Sequence, residues 1–254
     1  MISYLFVRKG NNTSKSVMGE VSTFKIGVLG GMGPAATCLF YKMITEKTEA
    51  YKDQDHINMI IYSDASMPDR TEAILGQSFD DVADKMMEDI RILEKAGCRA
   101  IFVTCNTAHF FLDMLSDKIE IPIVHMIDET VKEIHNKGMG RKVAVLATEG
   151  TVKTGLYQKR LEDAFMEVYI PEEKIQSMIT EQIYDRVKKG LPGDIGVWET
   201  ISERLKEENV SAAIMGCTEL SVIKKQCCLP DMFVDPLEIL AEKAIVFCGK
   251  KVKL

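Results

Sequence analysis

Apolar residues in this chain gather in short runs, and between the runs they recur every three or four positions. The first pattern fits buried strands of a parallel sheet, and the second fits helices with one apolar face. Residues 25–29 (KIGVL) predict a first strand, followed by the turn Gly30-Gly31-Met32-Gly33. Pro34 stands where a first helical position tolerates proline, and Ala36, Leu39, Phe40, Met43 and Ile44 mark one helical face. Residues 57–62 predict a second strand, which leads into a loop at 63–71. Val82, Met86, Ile90 and Leu93 predict a long helix that Gly97 ends. A strand then runs up to Cys105, and residues 121–124 add a short one.

The order then starts again. Residues 142–148 predict a strand, 149–151 a turn, 153–165 a helix and 167–170 a strand. Helical pattern covers about 173–189 and 194–208, and a strand ends at Cys217. Residues 233–236 predict a last edge strand, with a helix from about 237. Ile26 precedes Cys105 by 79 positions and Val143 precedes Cys217 by 74. Each half therefore opens with an apolar strand and a small-residue turn, and closes on a strand that ends in cysteine. The pattern predicts an α/β fold of two similar domains, with parallel sheets flanked by helices, a pseudo-twofold relation and an active site in the cleft between them. Residues 1–23 are expected to form a flexible N-terminal extension. Residues 24–124 plus 233–254 are assigned to the first domain and 125–232 to the second.

That repeat gives Cys105 and Cys217 matching places. Each ends an apolar run and is followed by small polar residues, Asn106-Thr107 and Thr218-Glu219. At the carboxyl end of a strand and the start of a helix, dipole and free N–H groups favour thiolate over thiol. Two thiols in matching contexts suggest one site with a thiol on each side. Their polar neighbours can hydrogen-bond an ammonium or a carboxylate. His109, one helical turn after Cys105, either raises the thiolate fraction or is structural.

Composition narrows the function classes. The chain has 254 residues with 46% hydrophobic and 28% charged side chains, which is ordinary for a globular protein. A net charge of −6 argues against nucleic acid as a partner, and no apolar run approaches the roughly 18 residues needed to span a membrane. Seven cysteines without a CxxC pair fit a reduced, cytoplasmic protein. Cys38, Cys98 and Cys248 read as small buried hydrophobes, and Cys227-Cys228 as surface thiols. The four histidines lack metal-ligand spacing, so no metal site is expected.

Two further segments leave alternatives open. Gly31-Met32-Gly33-Pro34-Ala35-Ala36 fits the dinucleotide fingerprint G-x-G-x-x-G/A, which alone would allow an NAD-dependent oxidoreductase. The acidic residue expected about 20 positions on stands out of place, since Asp53 and Asp55 precede the next strand and Asp64 comes late, so a plain tight turn or a cradle for a carboxylate competes with it. Arg70, in Asp69-Arg70-Thr71, either grips a carboxylate or pairs with Asp69 at the surface.

Together, residues 27–34 (GVLGGMGP), 68–71 (PDRT), 105–109 (CNTAH), 146–148 (LAT) with Gly150-Thr151, and 216–219 (GCTE) resemble the aspartate/glutamate racemase family. Within it they resemble the pyridoxal phosphate-independent aspartate racemases. The resemblance runs from about Lys25 to the C-terminus. It implies Cys105 and Cys217 as an acid/base pair, no cofactor, an acidic amino acid as substrate and a homodimer. It also implies that Met32 lines the pocket, that Asn106, Thr107 and Thr218 hold the α-amino and α-carboxylate groups, and that Arg70 meets the distal carboxylate. Such enzymes often carry a lysine near that carboxylate. Alignment on Ile183-Tyr184-Asp185 gives Ser177 there, with Lys174 one turn earlier as the replacement. Glutamate and broad-specificity racemisation are neighbouring chemistries of the same scaffold. Inversion itself calls for two groups: a base on one face and an acid on the other turn the centre over in one pass, whereas one base returns the proton where it came from.

Overall fold

The structure is a computed structural model that describes residues 24–253. The expected extension at 1–23 lies outside them. In chain order the first half holds β1 (Lys25–Gly30), α1 (Pro34–Lys47), β2 (Asn58–Ser63), α2 (Arg70–Leu75), α3 (Asp80–Lys95), β3 (Ile101–Val103), α4 (His109–Leu115) and β4 (Ile123–Val124). Then follow α5 (Met126–Asn136), β5 (Lys142–Ala147), α6 (Glu149–Lys153), α7 (Gln158–Asp163), β6 (Glu167–Tyr169), α8 (Glu173–Glu181), α9 (Ile195–Glu207), β7 (Ala212–Gly216), α10 (Thr218–Cys227), β8 (Phe233–Val234) and α11 (Pro236–Phe247).

The strands form two four-stranded parallel sheets, ordered β2-β1-β3-β4 and β6-β5-β7-β8. The orders are the same pattern twice, as the repeat predicts. Side chains alternate across each sheet. On the first, Leu29, Ile101 and Val103 pack with α3 and α4, while Ile26, Val28 and Phe102 pack with α1 and α11. On the second, Ala144, Leu146, Ala213 and Met215 face one helical layer, and Val143, Val145, Ala212 and Ile214 face the other. Burial on both faces explains why the central strands read as unbroken apolar runs. Each fully buried branched side chain stabilises the fold by about 1.5–3 kcal/mol before entropy is counted.

Several local expectations change. The helix expected over 153–165 is two short helices, α6 and α7, interrupted where Gly155 takes a φ of +66°. The loop expected at Asp69–Thr71 starts α2: Asp69 Oδ1 accepts from the Thr71 and Glu72 amides and caps the helix. The strand at 233–234, expected with the first half, pairs with β7, and Phe233 packs edge-on against Trp198. After that strand, α11 crosses back onto the first sheet's core. Cys38, expected inside, is exposed on the outer side of α1. Among the described residues no helix is long and apolar enough to cross a membrane.

Candidate active site

In open parallel sheets, ligands bind beyond the carboxyl ends of the strands where the strand order reverses. In the first sheet that point lies between β1 and β3, and in the second between β5 and β7. The segments that follow these four strands meet in one cavity. It is lined by Met32 from beyond β1, Cys105, Asn106 and Thr107 from beyond β3, Thr148 from beyond β5, and Cys217, Thr218 and Glu219 from beyond β7. Asp69, Arg70 and Thr71 close one side, and Tyr184 and Lys188 another. All seven site residues read from the sequence therefore stand together. The cavity is tight, about 20 Å³, room for little more than a water molecule.

Neighbouring packing holds the glycine turn in place. Gly31 has a φ of +89°, and a side chain there would strike the Asp64 backbone at 2.3 Å. Its N–H donates to Thr37 Oγ1 at 3.0 Å, so it is not free to cradle an anion. At Gly33 a Cβ would meet Glu219 Oε1 at 2.7 Å. A carboxylate thus faces the turn, and its charge works against an anionic pyrophosphate binding there.

The two thiols are equally buried, each 7% exposed, but differently surrounded. Cys217 caps α10 with its backbone, and its Sγ donates to Glu219 Oε2 at 2.9 Å. Burial, then the Glu219 charge, push this thiol well above its ordinary pKa. Helix dipole and N–H groups, expected to favour thiolate here, are outweighed. Cys105 instead neighbours the Arg70 guanidinium. Burial opposes the arginine's charge, but Cys105, Asp69 and Glu219 outweigh it and hold the Arg70 pKa above its ordinary value. Arg70 also donates to the carbonyls of Pro68 at 2.8 Å and Met67 at 3.2 Å, while its Nε is buried without a partner.

His109 is structural. The Met126 amide donates to its Nε2 at 3.1 Å, so the ring proton sits on Nδ1, which donates to the Cys105 carbonyl at 2.8 Å. Burial and neighbouring His125 keep its pKa well below normal, and the ring is neutral. It braces the backbone of Cys105 against the start of α5.

Hydroxyls tie the halves together. Thr107 Oγ1 lies 2.7 Å from Thr151 Oγ1 and 3.2 Å from Thr148 Oγ1, and Thr71 donates to Thr148 at 3.3 Å. Thr218 Oγ1 donates to the Thr104 carbonyl at 3.3 Å.

The lysine of the pocket is neither at 174 nor at 177. Both positions are exposed on α8, away from the cavity. After α8 the chain makes a wide π-helical turn, Gln182–Arg186, and then a tight one, Val187–Lys189. These turns bring Tyr184 and Lys188 to the cavity, where Lys188 Nζ lies 4.2 Å from the Tyr184 ring centroid and 3.7 Å from Asp69 Oδ2. Burial works against the Lys188 charge, but Tyr184, Glu219, Cys217 and Asp69 raise its pKa. A Tyr–Lys pair four residues apart on one face was the available signal in the sequence. Asp69, Thr71, Thr148, Tyr184, Lys188 and Glu219 also line the cavity and were not among the site residues read from the sequence. Among the described residues no three His, Cys, Asp or Glu side chains are grouped to hold a metal ion.

Comparison with known proteins agrees with this geometry. The sequence profile of the Asp/Glu/Hydantoin racemase family matches residues 29–244. The broad specificity amino-acid racemase RacX of Bacillus subtilis (strain 168) is 28% identical over 204 residues, 78% of this chain and 86% of the relative. The structure of the Picrophilus torridus aspartate racemase superposes with a TM-score of 0.75 at 30% identity, covering 91% of this chain and 96% of that one. An aspartate racemase homologue from Pyrococcus horikoshii OT3 superposes with a TM-score of 0.71 at 27% identity, covering 89% and 99%. The family profile spans both halves and all four strand ends that build the cavity, and the chain belongs to the Asp/Glu/Hydantoin racemase family.

Proposed function

We propose that the chain interconverts L- and D-aspartate without pyridoxal phosphate or another cofactor, with Cys105 and Cys217 as the two acid/base groups. One observation carries the reading: thiols from matched strand ends share a cavity with one guanidinium and one ammonium, Arg70 and Lys188. Aspartate brings two carboxylates and an ammonium. In this reading Lys188 and Arg70 answer the distal carboxylate. Asn106, Thr107 and Thr218 hold the α-amino and α-carboxylate groups, and Met32 packs against the substrate.

In one direction Cys217, hydrogen-bonded to Glu219, is the acid and Cys105, beside Arg70, is the base; in the other direction the roles reverse. Cys105 takes the α-proton from one face, and Cys217 delivers its own proton to the other. The product is the opposite enantiomer, with the protons of the two sulfurs exchanged. The α-proton is weakly acidic, so the carbanion must be stabilised by fixed donors in a water-poor pocket. The cavity of about 20 Å³ is smaller than an amino acid, so substrate binding widens it. The family resemblance supports a homodimer, and seven free cysteines support a reducing, cytoplasmic setting.

Incubation with L-aspartate in D₂O, with pyridoxal phosphate excluded, should place deuterium at Cα of D-aspartate. A wild-type enzyme that forms no labelled product overturns the reading. Broad specificity is the second reading, favoured by the similarity to RacX and by the partial exposure of Lys188, whose side chain is 31% exposed. A chiral assay with L-Asp, L-Glu and neutral amino acids separates the two.

A further inference from the structure

We infer that Tyr157 is a positioning residue for catalysis: it orients the Asn106 side-chain amide so that its N–H₂ is presented to the substrate. This rests on the racemase reading and extends it to a residue outside the cavity lining. Tyr157 is wholly buried, and its hydroxyl donates to Asn106 Oδ1 at 2.5 Å. Burial, against the help of Thr130, pushes the phenol well above its ordinary pKa, so it is a neutral donor at physiological pH. With Oδ1 fixed as the acceptor, the other end of the amide is fixed as well. Asn106 Nδ2 is buried and has no partner in the protein, and Asn106 lines the cavity.

A buried amide donor left unpaired costs about 1–3 kcal/mol, so an arrangement that keeps one is compensated by something that binds there. The matching ligand group is a carboxylate oxygen. When the α-proton leaves, charge flows onto the α-carboxylate, and a donor already aimed at it needs no reorganisation. Gly216 lets the strand pack closely at this point. At Gly216, the residue before Cys217, a Cβ would meet Tyr157 Cε2 at 3.3 Å and Ala147 Cβ at 2.9 Å. Tyr157 belongs to the second half of the chain and Asn106 to the first, so the bond also registers the two cysteine-bearing segments.

The test is steady-state kinetics and Cα deuterium incorporation with L-aspartate. Tyr157→Phe removes one oxygen and keeps the ring. It should lower kcat by 10–100-fold, within the range seen when one oxyanion donor is lost, and move KM by less than about 3-fold. On an Asn106→Ala background the same change should cost less than about 2-fold, because no amide is left to orient. Asn106→Asp keeps the acceptor for Tyr157 but replaces the inward donor with an acceptor, and should lose at least as much kcat as Tyr157→Phe. A Tyr157→Phe enzyme with kcat within 2-fold of wild type overturns the inference, as does a full loss repeated on Asn106→Ala. Should Tyr157→Phe fail to fold, Asn106→Asp decides: unchanged kcat overturns the inference. An active wild type with an indifferent Tyr157→Phe defeats only this inference, whereas a silent wild type defeats the racemase reading and this one with it.

Discussion

The two halves of the cleft share a backbone plan but differ in charge. Each places a cysteine beyond the second strand of a matched pair, β3 or β7, and each thiol is 7% exposed. On the Cys217 side a carboxylate, Glu219, accepts from the thiol at 2.9 Å. On the Cys105 side the neighbour is a guanidinium, with a neutral histidine bracing the backbone. The difference teaches that a repeated backbone plan can bring two thiols to one cavity while the charges set around each of them differ.

The largest effect should come from removing either thiol. Cys105→Ala and Cys217→Ala should each slow racemisation by at least about 10²–10⁴-fold. Each variant keeps one base, so each should still exchange the α-proton of one enantiomer with solvent, and the two variants should favour opposite enantiomers. Chiral separation with mass detection of deuterium reads this out, and exchange of the same enantiomer by both breaks the comparison. Next in size is the distal end. Lys188→Met should raise KM for aspartate by about 10–100-fold, the worth of one charge-assisted hydrogen bond, with a smaller effect on neutral amino acids. An unchanged KM would remove Lys188 from the substrate site.

A smaller effect tests the field itself. Burial and then Glu219 raise the Cys217 pKa, so Glu219→Gln should lower it. Alkylation of Cys217 by iodoacetamide, followed by peptide mass, should then begin at lower pH than in the wild type, while Cys105 labelling keeps its profile. Coincident curves would leave the asymmetry without its stated cause. Smallest is a stability effect confined to the first half. Asp64 lies below the glycine turn, and its hydrogen bond with Lys85, 2.7 Å away, brings its pKa down to about 2. At the matching place after β6 the second half has Ile170. A depressed carboxylate pKa stabilises the fold above the unfolded value of about 3.9, and that contribution is lost as pH falls through 2. Asp64→Asn, which removes that carboxylate and keeps the shape, should therefore lower Tm by a few degrees at pH 7, with the gap closing towards pH 2.

Much of this was legible in the chain because the informative signals are short and local. Buried central strands must be apolar on both faces, so residues 25–29, 142–148 and 212–216 stand out. The cysteines stand out because small polar residues follow them at once. Lys188 was hidden for a geometric reason. Alignment on residues 183–185 points back along α8 to 177 and 174, whereas the wide turn at 182–186 and the tight one after it carry the chain forward to bring residue 188 to the cavity. Asp69 was assigned to a loop because α2, at six residues, is too short to show periodicity. Tyr157 was absorbed into an expected helical face that Gly155 in fact interrupts. Glu219 was read as a ligand for substrate, since nothing in a sequence says that a carboxylate two residues from a thiol will turn back onto it.

The chain passes between the halves twice, once from β4 through α5 to β5 and once from β8 to α11. The two crossing helices are joined by salt bridges from Lys243 to Glu129 and Glu133. The halves are therefore held by two covalent crossings that are themselves bridged, so the two cysteine-bearing strand ends are set facing one cavity by the course of the backbone as well as by the side chains that line it.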